Sequence, residues 1–361
     1  MFNEIYRDRT VLVTGHTGFK GSWLTAWLNR LGANVIGYSL PGAATDPSLF
    51  DLANLGDGII DVRGDVRDWE KLWAVIEANQ PSIVFHLAAQ AIVGTAIRDP
   101  KPTFDVNAGG TVNLLEAVRK TECVEAVVCV TTDKVYQDQD WVFGYRETDA
   151  LGGKEPYAAS KAMAELAVEA YRRTYLAARG IGVASVRAGN VIGGGDFSDR
   201  RLVPDVIRAL SAEQTIDIRT PHTVRPWQHV LEPLGGYLWL GARLLQDGQT
   251  FAEGWNFAPA EQVGITTQQL VEKLIDLWGS GNWRNTGLDM QNVETNYLRL
   301  NWDKAVARLG WQPVYSWEDA LADIVAWTRS YQAGESVAAV MDRHIAAYIG
   351  RARTQNLIWT V

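Results

Sequence analysis

Short apolar runs alternate with amphipathic stretches through the first half of the chain. Val11-Leu12-Val13, Asn34-Val35-Ile36-Gly37-Tyr38, Ile59-Ile60-Asp61-Val62, 83–87, 126–130 and 182–187 are β-branched or aromatic runs that read as strands. Ser22–Leu31, Trp69–Asn79, Asn107–Lys120 and Tyr157–Arg179 carry apolar residues at helical spacing between those strands. Strands that are apolar throughout are buried on both faces, and helices between them supply the cover. The pattern predicts an α/β fold: a Rossmann-type doubly wound parallel sheet. After residue 188 the elements shorten, and Pro204, Pro221, Pro226 and Pro233 punctuate a stretch richer in arginine. A smaller α+β substrate-binding domain is expected there. The division is 1–188 for the Rossmann domain, with returns near 228–258 and 310–335, and 189–361 largely for the smaller domain. Trp317–Ala333 reads as a further amphipathic helix.

Composition narrows the function. A formal charge of −8 with no clustered basic face argues against nucleic acid as a partner. No apolar run approaches the length of a membrane span, and the start MFNEIYRDRT lacks a signal-peptide core and leads directly into a strand. Two cysteines, Cys123 and Cys129, lie in or beside apolar segments, which suits a reducing cytoplasm. No His, Cys or Asp spacing suggests a metal. The fifteen tryptophans are spread along the chain and are expected mostly in the core.

The first strand runs into Thr14-Gly15-His16-Thr17-Gly18-Phe19-Lys20-Gly21 and then a helix. Glycines at this spacing allow a tight turn and close approach to a pyrophosphate, with the helix N-terminus facing the phosphates. The second strand ends in Gly37-Tyr38-Ser39-Leu40 without the acidic residue that usually holds the adenosine ribose, and no arginine stands beside it; NAD is favoured over NADP. Asp65, with Val66, could set a carboxylate against the adenine amino group, and Asp68 would cap the next helix. His86, at a strand end, reads as a satisfied core imidazole, and His16 as a loop residue whose backbone matters more than its ring.

Tyr157 and Lys161 stand four residues apart on one helix face. An ammonium beside a phenol stabilises phenolate and makes it a usable base. Asp133 and Lys134 follow Thr131 and Thr132 at the end of the fifth strand, where a charged pair is most often merely solvated. Arg201 and Arg225 have the fork geometry that suits phosphate, and Arg219 and His222 lie between them.

These motifs carry a resemblance. "TGHTGFKGSW", "VFHLAAQ", "NAGGTVNLLEAVR", "TTDKVY", "YAASKAMAE", "RAGNVIGGGDF", "RPWQHVLEPLGGYL" and "LGWQP" resemble the extended short-chain dehydrogenase/reductases of the sugar-nucleotide-modifying branch, and within it the CDP-glucose 4,6-dehydratases. The resemblance implies an NAD-dependent lyase that converts CDP-D-glucose to CDP-4-dehydro-6-deoxy-D-glucose and water. Tyr157 would take the C4 hydroxyl proton, Lys161 would bind the nicotinamide ribose, and Thr132 would hydrogen-bond that hydroxyl. Asp133, protonated, would be the acid at O6, and Lys134, neutral, the base at C5. The cofactor would lie along Gly15, Thr17, Gly18, Phe19, Lys20, Gly21, Asp65, Val66, Leu87, Ala88, Ala89 and Thr131. Gln90, Asn190, Arg201, Val203, Arg219 and Arg225 would meet the substrate, Asn107 would support the site, and segments 91–96 and 293–297 would border the sugar. A homodimer through a four-helix bundle of 107–120 and 157–178 is implied too. The Asp-Lys pair also occurs in UDP-sugar 4,6-dehydratases, so that substrate stays open; a 4-epimerase or a non-catalytic NAD-binding protein fits the pair less well.

Overall fold

A computed structural model describes residues 1–43, 45–139, 141–261, 264–287 and 298–361. Six of the predicted apolar runs become β1 (Thr10–Thr14), β2 (Asn34–Ser39), β3 (Ile60–Arg63), β4 (Ile83–His86), β5 (Ala126–Val130) and β6 (Gly182–Ala188). Beyond them come β7 (Asn190–Ile192), β8 (Ile216–Ile218), β9 (Val224–Arg225), β10 (Trp227–His229), β11 (Gly254–Phe257), β12 (Ile265–Thr266) and β13 (Trp283–Asn285). The main sheet has seven parallel strands in the order β11-β6-β5-β4-β1-β2-β3. The order reverses between β1 and β4, and such a switch point opens a crevice at the carboxyl ends of the strands.

The helices are α1 (Phe19–Arg30), α2 (Leu49–Leu52), α3 (Trp69–Asn79), α4 (Val93–Arg98), α5 (Pro100–Phe104), α6 (Gly110–Lys120), α7 (Pro156–Tyr171), α8 (Leu202–Ser211), α9 (Leu231–Phe251), α10 (Thr267–Trp278), α11 (Trp317–Gln332) and α12 (Val337–Thr354). One face of the sheet is covered by Leu72, Val75 and Ile76 of α3, Leu114, Leu115 and Val118 of α6, and Val168 of α7. The other face meets α1, α9 and α12 through Trp23, Trp27, Leu234, Leu238, Ile345 and Tyr348. A separate apolar cluster joins α8, α10, α11 and β8 through Val206, Leu210, Ile216, Leu270, Leu274 and Ile324.

Two differences from the sequence reading have plain causes. The chain does not enter β1 directly: residues 2–4 form a single 3-10 turn, because Phe2 is buried and stacks on Trp359 with ring centroids 5.3 Å apart. Helix α12, not anticipated, covers α1 and α11, and its buried face (Val337, Val340, Met341, His344, Ile345, Tyr348) has helical spacing that the alanines and charges between those positions obscure.

The return of the chain is fastened by a buried carboxylate. Glu232, at the start of α9, accepts hydrogen bonds from the amides of Val314 (3.0 Å) and Tyr315 (2.7 Å) and from the Tyr348 hydroxyl (3.0 Å). Burial outweighs those donors and raises its pKa to about 7. A carboxyl whose folded pKa lies above its unfolded value of about 4.3 contributes stability that is present below that value and is lost as pH rises through the folded pKa. The wild type should therefore lose on the order of 3 kcal/mol between about pH 4.5 and pH 8 relative to Glu232→Gln. Urea denaturation of both proteins across that range checks this; parallel stability curves would refute it.

Candidate active site

The glycine loop is shaped by two contacts. Gly15 has φ +76° and leaves no room for a Cβ against the backbone of Ala88, so the loop and the segment after β4 touch directly. A Cβ at Gly21 would run into the Gly15 carbonyl, so the first turn of α1 lies on the loop itself. The first-turn amides of α1 then lack backbone acceptors inside the helix and face the crevice at the β1–β4 switch point. That cradle fits a dinucleotide's diphosphate. Leu87, Ala88 and Ala89 follow β4, with the Leu87 amide on Thr14 O (3.0 Å) and the Ala88 amide on Thr14 Oγ1 (3.2 Å). Thr17 is buried, its amide 3.4 Å from Ser39 Oγ, so the loop crosses the end of β2.

His16 does more than the sequence suggested. Its ring is fully buried over Gly37, where a Cβ would strike it, and its Nε2 lies 3.0 Å from Asp61 Oδ1. His86 is a core imidazole between Thr14 Oγ1 (2.7 Å) and Thr111 Oγ1 (3.3 Å), and burial lowers its pKa to about 3. At the end of β3 the Asp65 carboxylate is held by the Arg67 guanidinium (2.6 Å), which lowers its pKa, while the Asp65 carbonyl accepts from Tyr38. Val66 is buried against Gly110.

Chemistry-bearing side chains converge at the end of β5. Thr132 caps a 3-10 turn, Asp133–Val135, and its hydroxyl lies 3.0 Å from Asp133 Oδ1. Asp133 is buried, and its Oδ2 has no hydrogen-bond partner among the described residues. Burial raises its pKa against the opposing pull of Lys134, Thr132, Arg225 and Lys20. A protonated acid is thereby favoured at this position. Lys134 is half-buried in the same turn.

Helix α7 brings Tyr157 and Lys161 to the same strand end. Glu155 caps it by accepting the amides of Tyr157 (2.7 Å) and Ala158 (3.0 Å). Lys161 is buried and donates to the Val130 carbonyl at 3.0 Å; burial lowers its pKa to about 8. Tyr157 differs from the sequence expectation. Burial raises its pKa to about 12, with the Thr132 hydroxyl and Arg201 opposing, and Lys161 is not among the largest influences on it. The phenol is a weak base in the ligand-free protein, and its activation depends on what binds beside it.

The anchor of α7 was not read from the sequence. Glu165, one turn beyond Lys161, is buried and accepts from Thr131 Oγ1 (2.5 Å), Ser185 Oγ (2.6 Å) and Arg187 Nε and Nη2 (2.8 and 2.7 Å). Burial alone would raise its pKa, but the Arg187 charge and these hydrogen bonds hold it lowered. Arg187 passes on to Tyr136 Oη (2.7 Å), and Tyr136 to Asn256 Oδ1 of β11 (2.7 Å). Thr131, expected along the cofactor, has its hydroxyl engaged in this network. The signal available was the spacing of Tyr157, Lys161 and Glu165 at every fourth position.

Gln90, expected to face the sugar, has its amide engaged with Ile92 (its O at 3.1 Å, its N at 2.6 Å) and Thr103 Oγ1 (2.9 Å). Asn107 sits in a π-helical turn, Asp105–Gly109, and bonds the Gln90 backbone (2.8 and 3.0 Å) and Ser160 Oγ (2.9 Å). It thus fixes the post-β4 loop against α7. Val203 is buried in the apolar cluster of α8. Arg201 precedes α8 and pairs with Asp196 at 3.3 Å. Asn190 begins β7 and is half-buried, and Arg219 and His222 are exposed. Arg225 is buried and lines a shallow pocket with Trp227, Glu261, Arg299 and Trp302. Segment 293–297 lies outside the described residues.

Comparison with known proteins adds four likenesses. A family model described as GDP-mannose 4,6 dehydratase matches residues 12–324. The chain is 44% identical over 352 residues to the CDP-glucose 4,6-dehydratase of Salmonella typhimurium, covering 96% of this chain and 98% of that protein. It superposes on a dTDP-glucose 4,6-dehydratase of Streptomyces venezuelae, solved with NAD and TYD bound, with TM-score 0.76 and 25% identity, covering 91% of this chain and 99% of the other. A UDP-glucose 4-epimerase of Thermotoga maritima shares the fold with TM-score 0.76 at 24% identity, over 90% of this chain and 99% of the other.

Removing the α7 anchor should be expensive. Glu165→Ala leaves Arg187 buried without its partner and is expected to lower stability by about 3–5 kcal/mol. Chemical denaturation at neutral pH checks this, and a loss below about 1 kcal/mol would refute the assignment.

Proposed function

We propose, for a chain that belongs to the GDP-mannose 4,6-dehydratase family, that it is an NAD-dependent lyase converting CDP-D-glucose to CDP-4-dehydro-6-deoxy-D-glucose and water. The observation that carries this reading is Asp133: buried, biased toward its protonated form and with Oδ2 unpartnered, it stands beside Thr132 and Lys134 at the strand end that Tyr157 and Lys161 also reach. The 44% identity to a CDP-glucose 4,6-dehydratase over nearly the whole chain supports the choice of nucleotide.

NAD, when bound, supplies the hydride acceptor for C4 and the donor for C6. The first-turn amides of α1 would hold its diphosphate, and Leu87, Ala88 and Ala89 would line its path. Lys161 would orient its nicotinamide ribose, and Asp65 would serve the adenine end. Thr132 hydrogen-bonds the C4 hydroxyl, and Tyr157 removes its proton. Once C4 is a carbonyl, the C5 proton is acidic and Lys134 takes it. Asp133 protonates the departing C6 hydroxyl, which leaves as water. A plain 4-epimerase has no use for an acid and a base beyond the Thr-Tyr-Lys set, so Asp133 and Lys134 favour dehydration.

Residues 189–361 largely form the nucleotide-sugar side, with Asn190, Arg201 and Arg225 on the diphosphate. Arg219 is exposed past β8 and would need the ligand to draw it in. A homodimer through α6 and α7 is supported by the exposed apolar side chains Val112, Met163, Leu166 and Tyr175 on those helices and the turn after α7. A cytoplasmic location suits the two free thiols, Cys123 and Cys129. Among the described residues, no helix is long and apolar enough to cross a membrane.

Incubation with CDP-, UDP-, dTDP- and GDP-glucose should give an alkali-sensitive 4-keto product, most efficiently from CDP-glucose. Turnover of another nucleotide sugar without CDP-glucose would sink the substrate assignment. Lys134→Ala should lower kcat by about 10²–10⁴-fold while C4 oxidation persists and hydrogen exchange at C5 with solvent falls. Normal C5 exchange in that variant would remove Lys134 as the base.

A further inference from the structure

The glycine loop carries a cation, Lys20, into the crevice region where Arg201, Lys161 and Asp133 act on it. Lys20 lies in the first turn of α1, where only backbone amides are needed to hold a dinucleotide. That turn is fastened to the segment leading to Arg201: Phe19 borders Gly193, and Trp23 Nε1 donates to the Gly194 carbonyl at 3.0 Å. The Lys20 ammonium makes no hydrogen bond or ion pair among the described residues. The charged groups facing it are Arg201 before α8, Lys161 on α7 and Asp133 after β5. Two of the three are cations, and Asp133 is itself held toward its neutral form by burial. Arg201 is already paired with Asp196 at 3.3 Å, Lys20 is not, and an anion between the cations relieves their mutual repulsion. Of these neighbours, Arg201 and Asp133 are assigned above to the sugar nucleotide and Lys161 to the nicotinamide ribose.

We propose that Lys20 is a substrate-positioning residue whose ammonium, together with Arg201, holds a phosphate of the nucleotide sugar's diphosphate. This rests on the reading above that the substrate is a nucleoside diphosphate sugar, but not on the identity of its base. A consequence follows for protons. Burial first, then Arg201 and Lys161, lower the Lys20 pKa to about 7, so at higher pH the ligand-free cleft holds it largely neutral. A diphosphate beside it restores the charged form, and binding draws a proton from solution.

The test is calorimetric titration of CDP, UDP and dTDP into the NAD-loaded protein at about pH 8, in two buffers of different ionisation enthalpy. Wild type should take up a measurable fraction of a proton per nucleotide bound. Lys20→Met should weaken every nucleotide it binds by about tenfold or more and abolish the uptake. Lys20→Arg should keep the affinity within a few-fold and also abolish the uptake, since arginine stays charged; it serves alone if the methionine variant does not fold. No proton uptake by wild type, unchanged binding by Lys20→Met, or a loss confined to NAD would each overturn the proposal. Preference among the three bases reports separately on the substrate assignment, because the diphosphate is common to all.

Discussion

The buried Glu165–Arg187 pair is the constraint on which the active crevice depends. A carboxylate and a guanidinium enclosed together are tolerated only when their remaining hydrogen-bonding capacity is satisfied. Here Thr131, Ser185 and Tyr136 satisfy it. The pair ties α7 to the ends of β5 and β6 and, through Tyr136 and Asn256, to β11. Because Glu165 lies one turn from Lys161 and two from Tyr157, fixing Glu165 fixes the height at which both meet the crevice. The end of β5 is held from both sides, since Thr131 joins the pair while Lys161 takes the Val130 carbonyl.

A second set of contacts fixes the cofactor side. His16 fills the space above Gly37 and reaches Asp61, so the loop is braced against β2 and β3 by an imidazole rather than by glycine geometry alone. The crossing of Gly15 with Ala88 joins this loop to the segment after β4. Asn107 then joins that segment to α7 through Ser160. Loop, post-β4 segment and α7 are thus linked by direct contacts, which is the preorganisation that charge stabilisation in a reacting site requires.

Much of the sheet was legible because parallel strands buried on both faces leave near-continuous apolar runs, as in β1, β2, β4, β5 and β6; β3, at the sheet edge, is exposed to half-buried and carries Asp61 and Arg63. The glycine loop and the Thr132-Asp133-Lys134 end were legible because each is a contiguous motif at a strand end. Gln90 and Val203 were harder, since the direction of a side chain is set by its neighbours: Ile92 and Thr103 in one case, the α8 cluster in the other. The short strands were missed because their pairing partners lie far along the chain, and α12 because alanines and charges obscure its apolar spacing.

The sequence by itself determined the order of elements, the phosphate cradle and the presence of an acid, a base and a Tyr-Lys pair, because these follow from local spacing along a covalent chain. That Asp133 should be protonated came from the family resemblance and not from spacing. The tertiary structure decided the electrostatics. Tyr157 is raised rather than lowered because burial outweighs its neighbours and the Lys161 ammonium is drawn to Val130. Lys20, part of a backbone motif in the sequence, becomes a half-buried cation near Arg201 only when α1 meets the segment that follows β7. Charge interaction and desolvation depend on distances through space between residues far apart in the chain, and those distances exist only in the folded protein.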